Sequence, residues 1–89
     1  MAIEGEVHFS SAVVSVLPQK KNEVLGLLAA LPEVEVHQHT ASKIVIVMEA
    51  IESGMLGGRL AEIASWPGVL SANMVFEQAV QLSDIGEPT

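Results

Sequence analysis

The sequence predicts an α+β domain with the ferredoxin-like element order βαββαβ. Four segments have the alternating or β-branched composition of strands, and the two segments between them repeat apolar residues at helical spacing. Each half of the chain then has the form strand, helix, strand. Because crossovers of this kind are right-handed, we expect one four-stranded antiparallel sheet in the order 4-1-3-2, with both helices on one face.

The first strand and the first helix are predicted within residues 8–32. Residues 8–16 are rich in β-branched side chains and too short for a typical helix, which indicates a strand. Pro18 suits the first turn of a helix, and the helix is expected to end by Pro32 because proline disrupts a helix interior. The apolar stripe of this helix consists of Val24, Leu27, Leu28 and Leu31.

The second and third strands are predicted to form an antiparallel hairpin. Residues 33–39 (EVEVHQH) alternate polar and apolar side chains, as a half-buried strand does. Residues 43–50 (KIVIVMEA) give the strongest strand signal in the chain. The connection between the two segments is short, and such connections join neighbouring antiparallel strands.

The second helix and the fourth strand complete the predicted fold. Ser53 is expected to be the helix N-cap. Gly57 and Gly58 each cost a helix about 1 kcal/mol relative to alanine, so we expect a frayed first turn. A Pro-Gly pair ends the helix, and residues 69–77 (VLSANMVFE) form the last strand. The apolar stripe of this helix consists of Leu56, Leu60 and Ile63.

The composition favours a single ordered domain. Hydrophobic residues make up 49% of the chain and charged residues 17%, which argues against disorder. In the absence of a linker or a break in composition, residues 1–79 are predicted to form one domain and residues 80–89 a loose tail. The lack of cysteine excludes disulfides, thiolate metal ligands and a cysteine nucleophile, and it fits a reducing compartment.

The chain is acidic, with eleven acidic and four basic residues and a net charge of −7. This balance opposes binding to nucleic acid or to anionic membranes, because both need clustered Lys and Arg. It favours a basic partner, although solubility alone also explains an acidic surface. Glu4 and Glu6 stand where a secretory signal would be positive, and no stretch has the roughly 18 apolar residues of a membrane span. We therefore expect a soluble cytoplasmic protein.

Strand parity divides the side chains of the sheet between two faces, because alternate residues of a strand point in opposite directions. The more apolar set is predicted to lie under the helices and consists of Ala12, Val14, Val16, Val34, Val36, Ile44, Ile46, Met48, Ala72, Met74 and Phe76. The opposite set is predicted to form an uncovered face, called the open face below. Its residues are Ser11, Val13, Ser15, Glu35, His37, Val45, Val47, Glu49, Ser71, Asn73, Val75 and Glu77.

Two features of the open face suggest binding. Its central valines would form an exposed apolar patch, and such patches often mark contact sites. Strand propensity explains the valines equally well, and a second copy of the chain or the C-terminal tail would also close the face. The hairpin should bring Glu33 or Glu35 close to Glu49, and paired carboxylates suit a guanidinium group. Edge charges that block aggregation explain the same residues.

No set of residues predicts catalysis or a cofactor. His37 and His39 should point to one side of the second strand, but a zinc site needs at least a third protein ligand and none is identifiable. The only aspartate, Asp84, is in the predicted tail, so no Ser-His-Asp set is identifiable either. We therefore expect a binding protein without a metal, a cofactor or an enzymatic activity.

Three segments carry a resemblance to a known family. SSAVV in the first strand, LPEVEVH after the first helix and PGVLSANMVFEQ near the end, in this order and spacing, are similar to NapD proteins. The resemblance covers most of the chain, from about residue 9 to residue 78. It implies a ferredoxin-like cytoplasmic chaperone that binds the twin-arginine signal peptide of NapA, the catalytic subunit of a periplasmic nitrate reductase. Such a chaperone holds back export until the molybdenum cofactor is inserted and the enzyme has folded.

A twin-arginine signal has a basic region followed by an apolar stretch. The acidic residues of the open face could meet the arginines while its valines take the apolar stretch, whether that stretch binds as a helix or as an added strand. Our hypothesis is a helix on the sheet, with Glu35, Glu49 and Glu77 as the electrostatic contacts. The main alternative is a regulatory small-molecule-binding domain of the ACT type, which predicts a glycine-rich loop after the first strand. The sequence there is VLPQKK, without glycine. A metal carrier of the same fold would need a ligand pair at that junction, and the junction contains none.

Overall fold

The computed structural model describes residues 6–50 and 53–81, and it confirms the predicted element order. The elements are β1 (Glu6–Val16), a 3-10 turn (Pro18–Lys20), α1 (Lys21–Ala29), β2 (Val34–His39), β3 (Lys43–Ala50), α2 (Ser53–Ala64) and β4 (Val69–Gln81). The strands form one antiparallel sheet in the order β2-β3-β1-β4. This is the predicted order 4-1-3-2 counted from the other edge, so the ferredoxin-like fold is confirmed.

The core lies between one face of the sheet and the two helices. Its fully buried side chains are Ala12, Val14 and Val16 of β1, Ile44, Ile46 and Met48 of β3, Val24 and Leu28 of α1, and Leu56 and Ile63 of α2. The strand residues all belong to the parity predicted to lie under the helices. Each such side chain larger than alanine contributes on the order of 1.5–3 kcal/mol through burial, so this layer is the main source of stability.

Helix α1 buries a narrower stripe than the sequence predicts. Val24 and Leu28 are fully buried and Leu31 is half-buried, whereas Leu27 is 46% exposed. Successive residues of a helix are about 100° apart, so Leu27 lies on the flank of the stripe when Leu28 faces the sheet. Leu27 therefore belongs to the predicted apolar stripe but lies outside its buried part.

Helix α2 runs unbroken through Gly57 and Gly58. Leu56 and Ile63 anchor the helix to the sheet. The turn after α2 depends on Gly68, whose φ of 88° is in the left-handed region that favours glycine. The carbonyl of Gly68 accepts a hydrogen bond from the backbone N–H of Leu17, at 2.9 Å, which fixes this turn beside the first helix.

Strand β4 contains two residues more than regular pairing with β1 requires. Met74 and Phe76 pair with consecutive residues of β1, which leaves Val75 without a partner as in a β-bulge. A second register shift leaves Leu70 unpaired near the start of the same strand. The strand also continues to Gln81, two residues into the predicted tail, whereas residues 82–89 lie outside the described residues.

The bulge at Val75 reverses the alternation of β4 beyond it. Phe76 pairs with Ser11 and therefore lies on the open face. Glu77 pairs with Ser10, whose side chain is buried on the helix side. The predicted faces of Phe76 and Glu77 are therefore both wrong, because sequence alternation alone does not reveal the extra residue.

A similar shift in β2 falls at the first histidine of the hairpin. Val36 pairs with Ile46 and Gln38 with Val45, so His37 is the unpaired residue. His39 then aligns with Ile44, on the helix side of the sheet. The shift interrupts the regular alternation from which a shared side for the two imidazoles was predicted.

Candidate functional site

The open face is organised in rows of residues that pair across the strands. From β2 to β4, the three rows nearest the middle of the sheet are Gln38, Val45, Val13 and Asn73; Glu35, Val47, Ser11 and Phe76; and Glu49, Phe9 and Gln78. A further row contains Lys43, Ser15 and Ser71. The hydrogen-bonded ladder fixes these neighbours, so the rows define which side chains a ligand on the face would meet together.

The middle of the open face is apolar. Val13 and Val45 are direct cross-strand partners on the two central strands, and Val47 and Phe9 lie beside them in the next rows. All four side chains are half-buried although no helix covers them. They form a continuous apolar surface, which is larger than the isolated apolar residues that are normal on a soluble protein.

The apolar surface continues to the edge of the sheet at β4. Phe76 is 55% exposed, and the bulge residues Leu70 and Val75 are 65% and 62% exposed. An aromatic side chain with more than half of its surface in water is an available anchor for a binding partner. Neither Phe76 nor Phe9 was among the predicted site residues. Parity alone would have identified Phe9, whereas Phe76 required knowledge of the bulge.

An acidic pocket lies at the opposite edge, between β2 and β3. Its volume is about 460 Å³, and it is lined by Phe9, Pro32, Glu33, Val34, Glu35, Val47 and Glu49. The backbone N–H of Glu49 donates to the carbonyl of Glu33 at 3.0 Å, which holds the two residues side by side. The expectation that Glu33 or Glu35 lies close to Glu49 is confirmed, since all three line one pocket.

One of the three carboxylates is already paired with a guanidinium. Arg59 on α2 donates a hydrogen bond from Nε to Glu33 and another from Nη1 to Glu62, the latter at 2.5 Å. Partial burial disfavours the charged form of Arg59, but the hydrogen bonds and the attraction of Glu33 and Glu62 outweigh it and raise the pKa of its guanidinium. Arg59 therefore carries a permanent charge that neutralises Glu33.

The other two carboxylates of the pocket are available. Glu35 and Glu49 are exposed and form no ion pair with any residue in the ranges 6–50 and 53–81. They lie above an apolar floor that includes Phe9 and Val47. This combination fits a guanidinium, because that planar group donates hydrogen bonds to carboxylates along its edge and makes apolar contact through its face.

The structure brings most of the predicted site residues together. The residues that share the open face as predicted are Ser11, Val13, Ser15, Glu35, Val45, Val47, Glu49, Ser71 and Asn73. His37 and Val75 are unpaired residues at register shifts, and Glu77 lies on the helix side. In the described part of the chain no group of three or more His, Asp or Glu side chains is arranged to hold a metal ion.

The fold and this face define a class of protein: a small ferredoxin-like α+β module whose sheet, on the face opposite the two helices, combines an apolar surface with an acidic edge. A family model described as "NapD protein" matches residues 7–80. The chain belongs to the NapD family.

A curated relative and a solved structure agree with this assignment. The chain is 39% identical over 72 residues to "Chaperone NapD" of Paracoccus pantotrophus. The match covers 81% of this chain and 64% of that protein, so the chain spans less than two thirds of this relative's length. It is also similar to the solution structure of the E. coli Tat proofreading chaperone protein NapD, with a TM-score of 0.76 and 25% identity over 98% of this chain and 90% of the other.

A second structural likeness concerns the fold alone. A transcriptional regulatory protein of the AsnC family from Pyrococcus furiosus matches 92% of this chain and 53% of its own, with a TM-score of 0.59 and 23% identity. Across the described residues, no helix combines the length and the apolar character that crossing a membrane requires.

Proposed function

We propose that this protein is a cytoplasmic, non-enzymatic chaperone for the maturation of a periplasmic nitrate reductase. In this proposal it binds the twin-arginine signal peptide of the catalytic subunit, NapA, and holds back export until the molybdenum cofactor is inserted and folding is complete. Membership of the NapD family and the similarity to a Tat proofreading chaperone support the proposal.

The observation that carries the proposal is the pairing of an apolar surface with two available carboxylates on the face of the sheet opposite the helices. A twin-arginine signal peptide has the complementary pair of features, a basic region followed by an apolar stretch. The net charge of −7 attracts such a peptide and repels acidic competitors. Each half of the peptide therefore has a matching half of the open face.

The apolar half and the acidic half of the open face contribute differently to the free energy of binding. Burying a valine-sized or leucine-sized side chain contributes on the order of 1.5–3 kcal/mol, whereas an exposed ion pair contributes about 0–1 kcal/mol. The apolar contact therefore supplies most of the affinity. The carboxylates Glu35 and Glu49 make the site selective for arginine over lysine, because a guanidinium forms paired hydrogen bonds that an ammonium group does not.

Sequestration explains how binding would delay export. A signal peptide whose arginines and apolar stretch both lie against the sheet presents neither to the export machinery. Release then needs a competing interaction or the completion of NapA folding. This role requires no catalytic group.

A titration tests the proposal. Synthetic signal peptide is added to isotopically labelled protein, alongside a peptide in which both arginines are lysines, and binding is followed by calorimetry and by amide chemical shifts. We expect saturable binding with shifts concentrated on the open face, at least tenfold weaker for the lysine peptide. No heat and no shift change at tens of micromolar would refute the proposal.

A further inference from the structure

We propose that the signal peptide crosses the strands of the open face in one direction, with its arginines over the acidic pocket at β2 and β3 and its apolar stretch over Phe76 on β4. This inference rests on the proposed function and adds the orientation of the peptide and a contact residue, Phe76. It follows from the difference between the two edges of the sheet.

Among the residues that the structure describes, the open face has free acid only at its β2–β3 edge. Glu35 and Glu49 are exposed there beside the pocket. Between residues 71 and 78 the open-face positions of β4 that pair with β1 are uncharged: they are Ser71, Asn73, Phe76 and Gln78. The bulge at Val75 produces this contrast, because it turns Glu77 to the helix side and brings Phe76 to the open face. The basic region of the peptide therefore has one favourable edge.

The ends of the strands also differ in charge, and this excludes a path along them. Lys43 occupies the end of β3 farthest from Glu49 on the same face, paired across to Ser15. A peptide lying along the strands with its arginines at that end would meet like charge, and with its arginines at Glu49 it would run its apolar stretch towards Lys43. A path across the strands avoids both.

The length of the central row across the sheet matches that of a short helical segment of the peptide. From Glu35 through Val47 and Ser11 to Phe76 the row crosses three inter-strand gaps of about 4.8 Å, or on the order of 14 Å in total. A helix rising 1.5 Å per residue covers this distance with about ten residues. Ser11 is the smallest side chain of the row and lies between Phe9 and Val13 along β1.

Paramagnetic labels on the peptide test the orientation. The protein contains no cysteine, so a peptide with one cysteine carries a nitroxide without scrambling. One peptide is labelled just before the arginines and another at the end of the apolar stretch, and line broadening is measured on protein amides after binding is established with the unlabelled peptide. We expect the first label to broaden Glu35 and Glu49 and the second to broaden the segment from Asn73 to Gln78.

Each alternative outcome has a distinct signature. Exchange of the two broadening patterns would overturn the direction, and broadening that follows β1 and β3 from end to end would overturn the crossing. Broadening on α1 would overturn the choice of face. If a second copy of the chain already covers the face, the protein sediments as a dimer and the open-face amides do not respond, which also overturns the inference. A failure of the unlabelled peptide to bind refutes the proposed function itself.

Discussion

Arg59 on α2 donates a hydrogen bond to Glu33, twenty-six positions earlier in the chain, and so connects the helix layer to the acidic edge of the sheet. The side chain of Arg59 is 29% exposed and that of Glu33 is 21% exposed, so the pair lies at the boundary of the core. The protein thus contains one internal arginine–carboxylate pair. It lies beside Glu35 and Glu49, the two carboxylates that we propose bind the arginines of the peptide.

Replacing Arg59 with glutamine should strengthen peptide binding while weakening the fold slightly. The substitution frees Glu33, which then adds a third available carboxylate to the pocket. We expect a few-fold tighter binding at low salt, reduced at high salt, and a loss of about 0.2–1 kcal/mol of unfolding free energy. The measurements are peptide titration at two salt concentrations and urea denaturation.

Lys20→Gln is the matched control, because Lys20 pairs with Glu23 on the helix layer at 3.7 Å and its loss changes the net charge equally. Equal effects of the two variants on peptide affinity would show that net charge alone is responsible and would contradict a specific role for Glu33.

Reversing Glu49 to lysine should weaken binding of the twin-arginine peptide and reduce its salt dependence. The new ammonium group would repel the arginines at the pocket, and fewer opposite charges would be left to screen. We expect slower association and roughly tenfold lower affinity, measured by stopped-flow kinetics and calorimetry. Glu23→Lys on α1 makes the same change in net charge away from the open face, and an equal loss in that variant would contradict the assignment of Glu49.

Alternation predicts the faces of the sheet wherever the ladder is regular. Val13 and Val45 are cross-strand partners on the open face as expected, and the short hairpin connection is sufficient to predict that Glu49 lies near Glu33. The bulge at Val75 could not be predicted. No glycine or proline marks it, and its position depends on how the whole of β4 twists against β1.

The Arg59–Glu33 pair was beyond prediction for a different reason. Periodicity identifies α2 as a helix, but the contact depends on how far the helix is rotated and where it docks on the sheet. Leu56 and Ile63 set that rotation by entering the core, and Arg59 then projects towards the start of β2. A long-range pair of this kind follows from tertiary packing, which a single sequence does not display.

Gly57 and Gly68 should respond to alanine substitution in opposite ways. A Cβ added at Gly57 would meet no atom within 4 Å, so Gly57→Ala should gain about 0.5–1 kcal/mol and raise the Tm by several degrees. At Gly68 an added Cβ would lie 2.5 Å from Cβ of Lys20 on a backbone with φ of 88°. Gly68→Ala should therefore lose at least about 1–2 kcal/mol. Thermal unfolding checks both, and a stabilised Gly68→Ala variant would contradict the described turn.

Ser10 should tolerate alanine with a gain in stability. Its side chain is 1% exposed, and its Oγ has no hydrogen-bond partner among the described residues. A buried hydroxyl without a partner costs about 1–3 kcal/mol, so Ser10→Ala should raise the unfolding free energy by about 1 kcal/mol. Ser11→Ala, on the opposite face, should stay within about 0.5 kcal/mol of the parent. Urea denaturation distinguishes the two, and a loss of stability in Ser10→Ala would show that the hydroxyl is bonded.

Replacing Phe76 with serine should weaken peptide binding without destabilising the protein. The ring is more than half exposed at the edge of the sheet, so its removal should change the unfolding free energy by no more than about 0.5 kcal/mol. In the complex the ring would be covered, and losing an apolar contact of about 1.5 kcal/mol lowers affinity roughly tenfold.

Leu27→Ser is the control, because Leu27 is similarly exposed but lies on α1. Phe76→Leu should restore most of the affinity, since the contact is apolar. Unchanged affinity in Phe76→Ser, measured by calorimetry, would remove Phe76 from the site and leave the valines of β1 and β3 as its apolar contact.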